Sequence, residues 1–336
     1  MKNYSRPLRI LTWHIHGSYL YYLLQSPHEF FVPVKDGRPE AYGGLPQGSI
    51  PWPKNAHEIP ADEVRDLDLD VILFQSRRNY LEDQFEILSD VQRSLPKVYL
   101  EHDPPREHPT DTRHPVDDPN ILLVHVTHFN DLMWDNGRTP TRVVEHGVVV
   151  PPDARYRGEK ARGIVVVNGL AHRGRRLGSD LFEYVRQRVP LDLVGMESDQ
   201  LGGLGEIPHH ELPAFESAYR FFFNPIRYTS LGLAVCEAMM LGMPVIGFAT
   251  TEMVTVIENG VSGYVDTDVD RLVQRMRDLL ADPAEARRLG DGARRQAQTR
   301  FNIERFASEW DDVFAQVTGR MAEQAKSSLA FQGSLS

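Results

Sequence analysis

Residues 224–248 read NPIRYTSLGLAVCEAMMLGMPVIGF. An apolar strand, Arg220 to Phe223, runs up to Asn224; a polar loop follows, and Gly232 opens an apolar helix over Leu233 to Leu241. The next strand is Val245 to Phe248. In a doubly wound sheet, ligands sit beyond the carboxyl ends of the strands. A helix starting there presents unsatisfied N–H groups and its positive dipole end, which suits a diphosphate. Gly232 removes side-chain bulk at that point. Glu237 is the only charged residue between Tyr228 and Thr251. A carboxylate in such apolar company needs a partner. It lies roughly 7 Å along the helix from Gly232, at about 1.5 Å per residue. A ribose whose diphosphate sits at the helix start would bring its two hydroxyl donors to that carboxylate. An arginine inside the fold is the other partner open to it.

Outward from this stretch the chain keeps one rhythm. Strands at Leu8–Trp13, Glu29–Val34, Val71–Phe74, Val98–Leu100, Ile121–Val126 and Arg142–Glu145 alternate with helical patterns, among them Tyr19–Gln25, with Ser18 as N-cap, and Tyr80–Leu95. A Gly- and Pro-rich loop fills Asp36–Pro60. Strands at Ile164–Val167 and Leu191–Val194 and helices at Ser179–Val189 and Glu211–Tyr219 repeat the rhythm. Such alternation means α/β architecture, with parallel sheets covered by helices on both faces. With 336 residues, two doubly wound domains are expected, 1–150 and 151–302, joined near Pro151–Gly158. A C-terminal helical segment, 303–320, and a disordered tail, 321–336, follow.

Composition is that of a globular protein, 41% hydrophobic and 25% charged. A net charge of -10 argues against nucleic-acid binding, which needs a basic field. Cys236 is the only cysteine, so no thiolate cluster can hold a metal, and a reducing, cytoplasmic setting is expected. No run is long enough to span a membrane.

The motif at 224–248 resembles the donor-binding signature of glycosyltransferase family 4. The resemblance rests on Pro225, Gly232-Leu233, Glu237-Ala238-Met239 and Gly242-Met243-Pro244-Val245-Ile246, with Val256–Val265 as a relaxed form of the family's second turn. It implies the GT-B fold, two Rossmann-like domains facing across a cleft, with residues 303–320 crossing back to the first domain. It implies transfer from a nucleotide-diphosphate sugar with retained configuration, without metal or other cofactor. The acceptor would be a glycan, glycolipid or small molecule, in the making of a cell-surface polysaccharide or glycolipid precursor. Peripheral contact with the inner face of a membrane is the accompanying expectation. Donor contacts are expected from Thr229, Ser230, Leu231, Gly232, Leu233 and Glu237. The family has a glutamate where this chain has Thr229, which puts the sugar's identity in question. An Arg and a Lys usually clamp the diphosphate; Arg173 and Arg176 are the nearest equivalents here, and the loop has no lysine. Gly17 is the candidate in the first loop, and His102, after the strand at Val98–Leu100, is the candidate catalytic residue.

Two other readings stay open: a nucleotide-sugar 2-epimerase of the same fold, and a non-catalytic nucleotide-binding or scaffold member. A dehydrogenase is disfavoured, because no Gly-x-Gly-x-x-Gly follows either first strand. A His14-x-His16 metal pair would need further ligands, and His125, His128 and His146 read as structural.

Overall fold

The computed structural model describes residues 6–48 and 50–319 and divides them into two compact units. The first comprises residues up to Glu145 together with those from Ile303 onward; the second is His146–Asn302. The boundary therefore falls at 145/146, and Pro151–Gly158 belongs to the second unit, where Tyr156 and Arg157 donate backbone hydrogen bonds to Leu241 and Ser217. The expectation for the tail, 321–336, lies outside the described residues.

The first unit holds a seven-stranded sheet, all parallel, in the order β3-β2-β1-β4-β5-β6-β7. Its strands are β1 (Arg9–Thr12), β2 (Glu29–Val34), β3 (Ala56–Pro60), β4 (Val71–Phe74), β5 (Lys97–Glu101), β6 (Ile121–His125) and β7 (Thr141–Val143). Between them run α1 (Gly17–Leu23), α2 (Gln84–Ile87) and α3 (His128–Met133). Strands β4 and β6 are buried at every position, as a parallel sheet covered on both faces requires. Trp13, Phe74 and Tyr99 fill the core on one face.

The second unit has a five-stranded parallel sheet in the order β12-β11-β10-β8-β9. Its strands are β8 (Lys160–Val166), β9 (Leu191–Val194), β10 (Tyr219–Asn224), β11 (Val245–Phe248) and β12 (Gly263–Asp266). Its helices are α4 (Leu170–Leu177), α5 (Ser179–Arg186), α6 (Leu212–Glu216), α7 (Leu233–Leu241), α8 (Met253–Val256), α9 (Val269–Ala281) and α10 (Pro283–Arg300). Phe182, Phe221, Phe223 and Met276 anchor its core.

The chain's last described helix, α11 (Ile303–Val317), packs against α1 in the first unit. Trp310 and Phe314 of its apolar stripe are fully buried, and the Trp310 indole N–H donates to the Tyr19 hydroxyl at 3.3 Å. Burial raises the Tyr19 phenol pKa, so it stays neutral.

Three local expectations are corrected. The Asp36–Pro60 segment ends in β3, which adds an edge strand to β2; proline and glycine upstream mask it, and Pro60 is tolerated at an edge-strand end. The helix expected over Tyr80–Leu95 is broken into a π-helical turn at Asn79–Asp83, α2 and a 3-10 turn at Gln92–Ser94. The Ser89 backbone N–H and hydroxyl both donate to Gln92 Oε1, at 3.0 and 3.2 Å, a local alternative to helical pairing. Helix α1 begins at Gly17, so its N-cap is His16 rather than Ser18.

Candidate functional site

In the second unit, β10 delivers Asn224 to the carboxyl end of the sheet and the chain turns through 225–232 into α7. Gly232 is the N-cap, with extended φ -71 and ψ 132, and a Cβ built there would meet nothing within 4 Å. The space at Gly232, where α7 begins, is open. Gly232 and Leu233 are half-buried, as is Thr229, whereas Ser230 and Leu231 are buried. Glu237 is buried, 7% exposed, on a helix whose other side chains are all apolar. The buried arginine of this unit, Arg220, gives its guanidinium to the carbonyl oxygens of Gly158, Leu279 and Leu280.

The stretch read as a loop before Ser179 is helical. Helix α4 is two turns hinged at Gly174 (φ 58, ψ -144), and Gly178, at φ 82, both ends it and caps α5. This region is stitched to the turn at 225–228. The N–H groups of Arg227 and Tyr228 donate to the Arg176 carbonyl at 3.1 and 3.2 Å. The Arg227 guanidinium makes a forked pair with Asp180 at 2.6 and 2.8 Å and a third bond to the Arg175 carbonyl at 2.7 Å. Hydrogen bonding to Arg227 holds the Asp180 carboxyl below its ordinary pKa. The structure thus brings Arg176 beside the 225–233 turn, through its own backbone.

The loop's arginines differ in their engagement. Arg175 pairs with Asp180 at 2.5 Å. Arg173 leans on the Asn168 carbonyl at 3.5 Å. The half-buried Arg176 guanidinium makes no hydrogen bond or ion pair to any described residue.

Sequence reasoning missed four features of this unit. One is the Arg227–Asp180 fork. The second is the contact made by His146, whose Nε2 donates to the Leu231 carbonyl at 2.9 Å and so braces the turn before α7. The third is Thr251, which holds a left-handed φ of 51 at the end of β11, unusual for a β-branched residue. Its hydroxyl approaches the Ser230 carbonyl at 3.4 Å. The fourth is Glu216, a fully buried carboxyl on α6.

In the first unit, the ends of β1, β4 and β5 gather Gly17, His16, Gln75 and His102. His102 is half-buried and does not pair with Asp103, which binds Arg106 at 2.5 Å. It faces Gln75 Oε1 at 3.1 Å. The Gln75 amide nitrogen is committed to Thr12 Oγ1 and the Trp13 carbonyl, both at 2.8 Å, so Oε1 accepts and His102 Nε2 carries the proton. The His102 ring lies edge-on to His16 at 4.5 Å and to Tyr19 at 4.8 Å. Its loop is clamped on both sides. Glu101 accepts from the Asp103 N–H at 2.8 Å and from buried His114 at 3.2 Å, and the Trp134 indole donates to the Asp103 carbonyl at 2.8 Å.

Gly17 is small for an internal reason: a Cβ there would come within 3.2 Å of both His14 and Ile50. His14 and His16 diverge, His14 donating through Nδ1 to the Gly44 carbonyl and packing on Trp52. Among the described residues no three His, Cys, Asp or Glu side chains are grouped to hold a metal ion. His125 is a buried core residue bonded to Asn136 at 3.0 Å, and burial pushes its pKa down to about 4. No described helix is long and apolar enough to cross a membrane.

Residues 197–296 match the family model described as glycosyl transferases group 1. The chain is 32% identical over 182 residues to the GDP-mannose-dependent alpha-(1-6)-phosphatidylinositol monomannoside mannosyltransferase of Mycolicibacterium smegmatis, covering 44% of this chain and 47% of the relative. It is 28% identical over 109 residues to the trehalose synthase of Pyrococcus horikoshii, covering 32% of this chain and 26% of that protein. The matches thus span less than half the length of these curated relatives. Among solved structures, sucrose-phosphate synthase from Thermosynechococcus elongatus superposes with a TM-score of 0.67 at 16% identity, over 93% of this chain and 100% of the other. Anabaena HepE in complex with UDP and glucose gives 0.67 at 15% identity, over 92% and 99%.

Proposed function

We propose that this chain, which carries a group 1 glycosyltransferase domain on a GT-B fold, transfers a glycosyl group from a nucleoside-diphosphate sugar to a hydroxyl acceptor with retained anomeric configuration. The observation that carries the reading is the Arg176 guanidinium, half-buried and unpartnered among the described residues, tethered by its own carbonyl to the turn that opens α7. An unpaired cation on the residue whose carbonyl braces that turn suits two phosphates, which an arginine fork binds bidentately. The diphosphate lies against Gly232 and Arg176, and the ribose diol reaches Glu237. The sugar meets Thr229, a neutral hydroxyl. Charge on the departing diphosphate is stabilised by fixed donors, the largest lever an enzyme has on such a step. Arg176 supplies this charge, so the transfer is metal-independent. His102 acts in the transfer step. The leaving phosphate takes the acceptor proton on the same face of the sugar.

The acceptor is a glycan or glycolipid, in keeping with the phosphatidylinositol monomannoside named for the mycobacterial relative. The test is release of nucleoside diphosphate from a panel of GDP, UDP, ADP and dTDP sugars, with and without a chelator. One sugar nucleotide should turn over equally in both. Arg176→Ala should lower kcat/KM for it by roughly tenfold to a hundredfold, the loss of a charge-assisted hydrogen bond. An unchanged kcat/KM removes Arg176 from the site, and isomerisation without nucleotide release identifies an epimerase instead.

A further inference from the structure

A cavity of about 650 Å³ opens in the first unit where β2 and β3 end, lined by residues 34–38, 60–62, 65, 86 and 87. That volume is in the range of small-ligand sites. Ion pairs build its wall. The Arg38 guanidinium forks onto Glu58 at 2.8 and 3.0 Å and also donates to the Gly43 carbonyl at 2.7 Å. Hydrogen bonding to Arg38 holds the Glu58 carboxyl below its ordinary pKa. Lys35 pairs with Glu86 at 2.7 Å and lies over the buried Tyr42 ring at 3.9 Å. Asp36, Asp62 and Arg65 are left over. Neither carboxylate makes a side-chain hydrogen bond or ion pair with a described residue, and Arg65 gives only one N–H, to the Glu86 carbonyl at 3.1 Å.

We propose that this cavity binds a neutral saccharide, with Asp36 and Asp62 accepting from its hydroxyls and Arg65 donating to it. Two uncommitted carboxylates against one uncommitted guanidinium leave a negative balance, which repels a phosphate or other anion. Sugar hydroxyls donate to carboxylate oxygens and accept from a guanidinium. Hydrogen bonds with such charged partners are roughly twice as strong as neutral ones. Val34 and Pro60 offer apolar surface to the sugar's C–H groups. The position suits an acceptor subsite, a role that rests on the transfer reading above. Strand β2 pairs with β1, and neighbouring strands lie roughly 4.8 Å apart. Strand β1 leads to His16 and Gly17, and His102 lies against His16. The segment between the cavity and that strand end is held from both sides: Gly43 bridges Val34, while Ala41 bridges His14 and the Gly44 carbonyl accepts from it.

A glycan array of neutral, sulfated and phosphorylated oligosaccharides, screened with the full-length chain, tests the site. The strongest neutral ligand is then titrated into the parent, Asp62→Ala, Arg65→Ala and a control, Asp111→Ala, which removes a carboxylate of the same unit outside the cavity. All three positions are exposed, and melting curves verify folding. The parent should prefer neutral saccharides to anionic ones. Asp62→Ala and Arg65→Ala should each weaken binding roughly tenfold, the loss of a charge-assisted hydrogen bond, and Asp111→Ala should not. Parental affinity in both cavity variants, no saccharide bound by the parent, or a preference for anionic saccharides overturns the inference. In the nucleotide-release assay with that saccharide as acceptor, both cavity variants should raise its KM roughly tenfold at unchanged kcat, the mark of lost ground-state binding; an unchanged KM overturns the acceptor role. Titrations of UDP and GDP keep the two readings apart: a parent that binds saccharide but neither nucleotide overturns the transfer reading and leaves the saccharide cavity standing.

Discussion

His102 shows what one residue's surroundings add to its place in the sequence. Its position after β5 was legible, since an apolar strand followed by Glu-His-Asp-Pro-Pro marks a sheet's carboxyl end. Its hydrogen-bond partner was not. Gln75 lies 27 residues away and is itself oriented by Thr12 and Trp13. The network protonates Nε2 and holds the ring against His16 and Tyr19. His102→Ala is expected to lower kcat by about a hundredfold or more, the scale of a positioned side chain acting in a transfer step. Nucleotide affinity, which the proposed site assigns to the second unit, should stay unchanged. A steady-state assay beside a binding titration checks both, and an unaltered kcat would exclude His102 from the step.

The deciding element is the 225–232 turn. Its sequence signature was readable because Gly232, Leu233 and Glu237 fall at the start and middle of one helix. What braces it was not readable, because the brace comes from α4 and α5, some fifty residues upstream: the Arg176 carbonyl, the Asp180 carboxylate, and the backbone at Gly178. Gly178 holds φ 82, and a Cβ there would come within 2.0 Å of the Pro225 carbonyl oxygen. Gly178→Ala should therefore push the turn away as well as strain its own backbone by about 1–2 kcal/mol. The expected outcome is a lowered melting temperature and at least tenfold weaker nucleotide binding. Gly205→Ala is the control. It has a similar φ of 87 and open space for a Cβ, so it should lower stability alone. Equal nucleotide affinity in the two variants would mean that the turn does not depend on this close approach.

At the scale of the whole chain, strand–helix alternation disclosed two doubly wound units, because fully buried parallel strands read as short apolar runs. The edges were harder to read. Strands β3 and β12 are short and partly exposed, with polar or glycine residues, so neither has the apolar signature of a central strand. The broken helix between β4 and β5 escaped notice because its apolar periodicity persists across a Ser89–Gln92 bond that ends the helix locally. Glu216 escaped for a related reason: burial of a lone carboxyl comes from the packing of α6 on α7, which no local pattern encodes.

The account stands on a nucleoside diphosphate meeting the start of α7, with its ribose on Glu237. Isothermal titration of UDP and GDP into the parent chain and its Glu237→Ala variant, with melting curves to verify folding, tests this most directly. The account predicts saturable one-to-one binding of one nucleotide by the parent and loss of at least tenfold in affinity in a variant that remains folded. Parental affinity in folded Glu237→Ala would contradict it.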